Sequence, residues 1–275
     1  MAERRTGHCR RPITVHRDSG GASLPAEDSI AIEIPVALVY NGISHAVMMA
    51  TPEDLGDFAL GFSLSEGILR SPDELYDLEV REEAAGIAVH LEIGAQRLAE
   101  LKLRRRSLTG RTGCGLCGTE SLTQAVRPVA PVAAPALSDD AIQAALASLS
   151  RHQPLQRETG ATHGAAWCDS NGSIRLARED VGRHNALDKL IGAAVSTGES
   201  FSEGFALVSS RASYEMVQKS CSAGIGALVA VSAPTSLAID LARDSGLLLV
   251  GFARSGRHVI YNNPATPAAP AVHAG

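Results

Sequence analysis

Between residues 161 and 262 the chain switches repeatedly between short apolar runs and stretches with helical period, and this alternation restricts the fold more than any other feature. A strand pair ("THGAAWCDSNGSIRLA") is followed by helix ("HNALDKLIGAAVS"), strand ("FALVSS"), helix ("SYEMVQKSCSAG"), strand ("GALVAVS"), helix ("SLAIDLARDSG"), strand ("LLLVGF") and a short final strand ("HVIY"). Such an order implies an α/β domain with a parallel-rich sheet covered by helices on both faces. Ligands of these sheets collect beyond the strand C-termini. Those ends read Ser209-Ser210-Arg211, Ser232-Ala233-Pro234 and Phe252-Ala253-Arg254.

The preceding part is organised differently. From residue 30, "IAIEIPVALVYNGISHAVMMA" alternates apolar and polar residues about Asn41-Gly42, the signature of a β-hairpin. "TPEDLGDFALGFSLSEGIL" then predicts a helix, with Thr51 as cap, Pro52 at the first helical position and Leu55, Phe58, Ala59 and Phe62 on one face. A second strand pair in "LYDLEVREEAAGIAVHLEI" completes a small α+β unit over residues 30–106. Residues 107–137 read as a cysteine-bearing loop and a proline-rich linker, with a helix capped at Ser138 opening the second domain, 138–262. Residues 1–29 read as a mobile, disordered arm and 263–275 as a disordered tail.

Composition narrows the class. The 275 residues are 45% hydrophobic with formal net charge −5, enough for a buried core but without a global attraction for nucleic acid or anionic membrane. Any anion recognition must therefore come from local basic patches. No apolar run reaches the roughly 20 residues of a membrane span, and no signal peptide is expected. Five cysteines (Cys9, Cys114, Cys117, Cys168, Cys221) are too few and too scattered for a secreted disulfide framework, which points to the cytoplasm.

There a pair such as Cys114 and Cys117, in "RTGCGLCGTESL", normally signifies metal or chemistry. Flanking glycines expose backbone N–H groups. Arg111 and the run Lys102, Arg104, Arg105 and Arg106 add positive charge, which lowers a thiol's pKa from about 8.5. Zinc would need two further ligands, for which His163, Cys168, His184 and Cys221 are available but unpaired in sequence. Dithiol redox chemistry and a structural role stay open. The basic run by itself also reads as a solvated strand face.

A second polar patch, "REDVGRHNALDKLIG", crowds Arg178, Glu179, Asp180, Arg183, His184, Asn185, Asp188 and Lys189 around a helix start. Charges there are often a helix cap and a solvated face, as for Asp188 and Lys189. A third, "SSRASYEMVQKS", puts Arg211 between a strand and a helix, where anions bind well. No G-x-x-x-x-G-K-[ST] loop exists, so nucleotide hydrolysis is unsupported. His163-Gly164-Ala165 lacks the glutamate of the zinc-deaminase H-x-E motif, which disfavours deamination.

Taken in order, "NGISHAVMMATPEDLGDFALGFSLSEGIL", "TGCGLCGTESL", "REDVGRHNALDKLIG", "SSRASYEMVQKS", "AGIGALVAVSAPTSLA" and "GFARSG" resemble the FdhD/NarQ family of formate dehydrogenase accessory sulfurtransferases, over about residues 30–261. The resemblance implies a sulfur carrier that accepts sulfur from a cysteine desulfurase as a cysteine persulfide. The sulfur then passes to the molybdenum bis(molybdopterin guanine dinucleotide) cofactor before its insertion into apo-formate dehydrogenase. It also implies a homodimer and a cytidine-deaminase-like α/β/α second domain without the zinc. By the same resemblance Cys114 is the persulfide cysteine and Cys117 its partner, with no metal. Phe252, Ala253, Arg254, Ser255, Gly256 and Arg257 become the cofactor-binding stretch. On their chemistry Arg254, Arg257 and Arg211 would hold phosphates, and GDP would serve as a mimic. "TGATHGAA" departs slightly from the family's usual "TGGTHAAA". The alternative is a non-catalytic cofactor-binding chaperone whose cysteines hold shape or zinc.

Overall fold

The computed structural model describes residues 7–15, 24–106 and 128–265. Strands β1 (His8–Val15) and β2 (Leu24–Ala31) form an antiparallel ribbon, with His8 opposite Ala31. Over the described residues 7–15 and 24–29 this corrects the expectation of a disordered arm. The ribbon is mostly exposed, so it has no apolar alternation to betray it. It is anchored instead by polar contacts: the Gly7 N–H donates to Glu53 Oε1 at 2.7 Å, and the Ile32 N–H donates to the Gly7 carbonyl at 2.8 Å.

Strands β3 (Ile34–Tyr40) and β4 (Ile43–Ala50) make the expected hairpin. Asn41 and Gly42 take φ of 45° and 76°, the positive values that a tight two-residue turn requires. Helix α1 (Leu55–Ser65) follows, but Thr51 does not cap it. Asp54 stands at the helix start without a side-chain cap bond, because the Thr51 hydroxyl is engaged by Asp180, far along the chain.

Strands β5 (Leu75–Glu83) and β6 (Gly86–Ile93) complete a four-stranded sheet in the order β4-β3-β6-β5. Val36, Leu38 and Tyr40 on β3 pack with Ile87, Val89 and Leu91 on β6 against Phe58 and Phe62 of α1. Helix α2 (Ala95–Arg106) then carries the basic run, correcting its reading as a strand face. Leu98 and Leu101, three residues apart, turn into the core and hold the segment helical.

Residues 128–137 are packed rather than free. The Val132 N–H donates to the Ser245 carbonyl at 2.8 Å, and Val129 and Val132 lie against the core. Ser138 Oγ accepts from the Ala141 N–H at 3.2 Å and caps α3 (Asp139–Leu149), as its residue type predicts. A short α4 (Pro154–Thr159) leads into β7 (His163–Cys168), β8 (Ile174–Asp180), α5 (Arg183–Thr197), β9 (Phe205–Val208), α6 (Tyr214–Ser222), β10 (Ala227–Ala230), α7 (Ser236–Ser245), β11 (Leu248–Arg254) and β12 (Arg257–Asn262).

These strands form a six-stranded sheet ordered β12-β11-β10-β9-β7-β8. In this sheet only the pairs β9–β10 and β10–β11 are parallel; β7, β8 and β12 enter through antiparallel pairs, so the parallel ladder is narrower than the alternation implies. Helices α5, α6 and α7 cover one face and α3 the other, giving three layers. The tail beyond residue 265 lies outside the described residues.

The two sheets are joined by helix packing. A Cβ at Gly61 of α1 would collide with the Asp188 carbonyl of α5, and one at Gly192 with the Asp57 carbonyl. Small residues let these backbones approach, and polar side chains then lock them.

Candidate ligand-binding edge

Most of the polar patch at 178–189 is consumed by that lock. Arg178 donates to Asp57 Oδ2 from Nε at 2.9 Å and from Nη2 at 2.7 Å. Glu179 accepts from the Leu155 and Gln156 N–H groups at 2.9 and 2.7 Å and so secures the start of α4. Asp180 Oδ2 accepts from the Thr51 N–H and hydroxyl at 3.0 and 2.9 Å and meets Lys189 Nζ at 2.7 Å. Its Oδ1 accepts from the Gly182 N–H and from Asn185 Nδ2. Asp188 takes two bonds from Lys219 Nζ, at 3.0 and 2.9 Å, and one from the Ser65 hydroxyl at 2.6 Å. Asp188 and Lys189 are therefore buried structural groups, correcting their reading as a solvated helix face.

Arg183 and His184 remain. They open α5 immediately after β8, on the edge where β9 also ends. His163 begins β7 on this edge, where the Ser209 N–H donates to the Gly164 carbonyl at 2.9 Å. Arg211 follows β9 and is exposed. His184 Nε2 lies 2.8 Å from Glu215 Oε2, and that hydrogen bond holds the Glu215 carboxyl below its usual pKa. Arg183 is different: its Nε is buried without a hydrogen-bond partner, and burial followed by the charge of Arg211 pushes its pKa down. Burial, then Arg183 and His184, likewise lowers the pKa of His163.

The stretch 252–257 turns out to be a β-hairpin on the same edge. Phe252, Ala253 and Arg254 end β11, Ser255 and Gly256 form the turn, and Arg257 opens β12 opposite Arg254. Phe252 adopts φ 48° within a register irregularity between Gly251 and Arg254, a conformation costly for a bulky residue. Arg254, Ser255, Gly256 and Arg257 are exposed, whereas Ala253 is buried in the core beneath α3 and offers only its backbone. The Gly256 N–H donates to Gln143 Oε1 at 2.7 Å, tying the turn to α3. The Phe252 N–H donates to the Ser232 carbonyl at 3.1 Å, and the Ser232 N–H to the Ser210 carbonyl at 3.3 Å. The hairpin and Arg211 thus occupy one continuous edge, two strand spacings or about 10 Å apart.

Cys114, Cys117 and Arg111 lie outside the described residues. The other cysteines considered as metal ligands do not come together. Cys168 belongs to the core beneath α3 and Cys221 to the core on the opposite sheet face. Burial raises the pKa of both thiols.

A family model described as the FdhD/NarQ family matches residues 31–267. The chain belongs to the FdhD/NarQ family. It is 58% identical over 253 residues to the Sulfur carrier protein FdhD of Cupriavidus necator, covering 92% of this chain and 88% of that protein. It is 54% identical over 238 residues to the protein of the same name from Variovorax paradoxus, covering 86% of each. A solved chain from Desulfotalea psychrophila, described as a candidate formate dehydrogenase accessory protein, superposes with a TM-score of 0.73 at 24% identity. That match covers 94% of this chain and 99% of the other, and it shows the shared fold of this FdhD/NarQ member. Among the described residues no helix is long and apolar enough to cross a membrane.

Proposed function

We propose that this protein is a sulfur carrier serving formate dehydrogenase, and that it acts as a sulfurtransferase in the cytoplasm, as a homodimer. The family match over residues 31–267 carries this reading. In the proposed reaction the Cys114 thiolate attacks the terminal sulfur of a cysteine desulfurase persulfide. A new S–S bond forms on Cys114 and the desulfurase leaves as a thiolate. In delivery Cys117, as thiolate, attacks Cys114 Sγ, so that a Cys114–Cys117 disulfide forms and the outer sulfur leaves as hydrosulfide, available to the molybdenum bis(molybdopterin guanine dinucleotide) substrate; a thiol reductant must then reopen the disulfide.

Two features support this assignment. Cys168 and Cys221 are buried with raised pKa values, so they are poor thiolate nucleophiles. The hairpin at 252–257 presents Arg254 and Arg257 to solvent beside Phe252, which suits a phosphate and an aromatic ring system.

Incubation with a cysteine desulfurase and cysteine, followed by intact-protein mass spectrometry, tests the reading. A gain of about 32 Da, one sulfur, is expected on the wild type and absent from Cys114→Ala, which also fails to activate apo-formate dehydrogenase. An adduct that persists in Cys114→Ala overturns the assignment. Near-stoichiometric zinc released by mutating Cys114 and Cys117 would instead favour the non-catalytic chaperone.

A further inference from the structure

We propose that Arg183, Arg211 and His163 form a phosphate-class anion site at the C-terminal end of β9, distinct from the 252–257 hairpin. The topology brings the three together. Arg183 opens α5 after β8, Arg211 lies between β9 and α6, and His163 starts β7 beside Ser209. Each comes from a different segment, so the cluster is a tertiary feature rather than a run of basic sequence.

The local charge is unbalanced. Among the described residues neither Arg183 nor Arg211 makes an ion pair, and after burial the charge of Arg211 disfavours the charge on Arg183, with Glu215 partly opposing. Two carboxylates stand close by. Asp180 is saturated by Lys189, Thr51, Gly182 and Asn185, and Glu215 is engaged by His184. Arg183 Nε is withdrawn from solvent with no acceptor, a position that costs free energy until an acceptor arrives. A phosphate oxygen supplies that acceptor, and a second oxygen can meet Arg211, because guanidinium groups match phosphate in paired geometry. The N-termini of α5 and α6 open on the same edge, and neither Gly182 nor Ser213 supplies a side-chain cap bond. Their N–H groups reinforce the same preference.

The cation cluster stands whatever the cysteines do. Its assignment to a nucleotide's phosphates rests on the function proposed above. With Phe252 about 10 Å along the edge, a guanine nucleotide would lie with its base at the hairpin and its phosphates between Arg183 and Arg211.

Calorimetric titration of the full-length protein with inorganic pyrophosphate tests the site. Arg183→Gln and Arg211→Gln are each expected to weaken binding about tenfold, the loss of one charge-assisted contact. Arg175→Gln, removing an exposed arginine paired with Glu199, is expected to leave it unchanged. No pyrophosphate binding by the wild type, or equal affinity in Arg211→Gln, overturns the proposal. Arg211 is exposed, so its variant carries the test even if Arg183→Gln fails to fold. GDP and guanosine identify the source. Loss of the preference for GDP over guanosine in Arg211→Gln assigns the phosphate to the nucleotide. Full GDP affinity in Arg211→Gln with weakened pyrophosphate binding makes the ligand a free phosphate-type ion and overturns the nucleotide assignment. Unaltered GDP affinity in Arg254→Gln/Arg257→Gln would count separately, against the hairpin.

Discussion

Lys189 Nζ meets Asp180 Oδ2 at 2.7 Å, with both side chains at 0% exposure. The Thr51 hydroxyl closes the triangle, accepting from Lys189 at 2.7 Å and donating to Asp180 at 2.9 Å. Removing one charge from such a pair leaves the other buried and unpaired. Lys189→Met is therefore expected to cost about 3–5 kcal/mol in urea unfolding. The double variant Lys189→Met/Asp180→Asn should recover part of that loss. A single variant within 1 kcal/mol of wild type would mean that water reaches the pair.

The α1–α5 contact predicts a steric effect. Gly61 faces the Asp188 carbonyl and Gly192 the Asp57 carbonyl, and the Asp188 side chain is pinned by Lys219. The helices cannot separate to admit a methyl group without straining that network. Gly61→Ala and Gly192→Ala should each destabilise by about 1–3 kcal/mol, although alanine favours helix. Urea midpoints would check this, and a stabilised variant would exclude the close approach.

How much of this was legible follows from range in sequence. The strands and helices from 163 to 262 announce themselves because their apolar residues repeat locally, and Ser138 and Asn41-Gly42 act through neighbouring backbone. The β1–β2 ribbon escaped because its residues are mostly exposed and hydrogen bonding to Leu24–Ala31 needs no apolar period. Thr51 reads as a cap in sequence because its competitor, Asp180, lies 129 residues away. Long-range partners likewise bury Lys189, against Asp180, and Asp188, against Lys219 and Ser65, although both charges look solvated when only the helix is considered. What sequence could not separate, the spent charges of the 178–189 patch from Arg183 and His184, depends wholly on which partners the other strands bring.

A pH dependence follows from His163. Burial, followed by Arg183 and His184, lowers its pKa, with Asp180 partly opposing. The folded state then binds fewer protons than the unfolded state below the ordinary histidine value of about 6.5. Stability should fall as pH drops below that value and level off under the folded pKa. His163→Gln should flatten this part of a stability–pH profile measured by urea unfolding. The Glu215 carboxyl acts at lower pH: its lowered pKa contributes stability above the ordinary glutamate range, lost as pH falls through the folded value. Identical profiles for wild type and His163→Gln between pH 5 and 7 would remove His163 from the account.

The last prediction separates packing from binding at Phe252. This residue holds φ 48°, a conformation that glycine adopts freely, and its side chain is only partly buried. Were Phe252 an ordinary core residue, truncation would cost about 3–5 kcal/mol. Phe252→Gly also releases backbone strain of roughly 1–3 kcal/mol, so the net change in unfolding free energy should be small. Ligand affinity should behave differently, because stacking on an aromatic ring contributes about 1–3 kcal/mol per base. GDP binding is thus expected to weaken roughly tenfold or more while the urea midpoint stays near that of the wild type. A large stability loss with unchanged GDP affinity would make Phe252 a packing residue, and the positive φ a feature of the bulge alone.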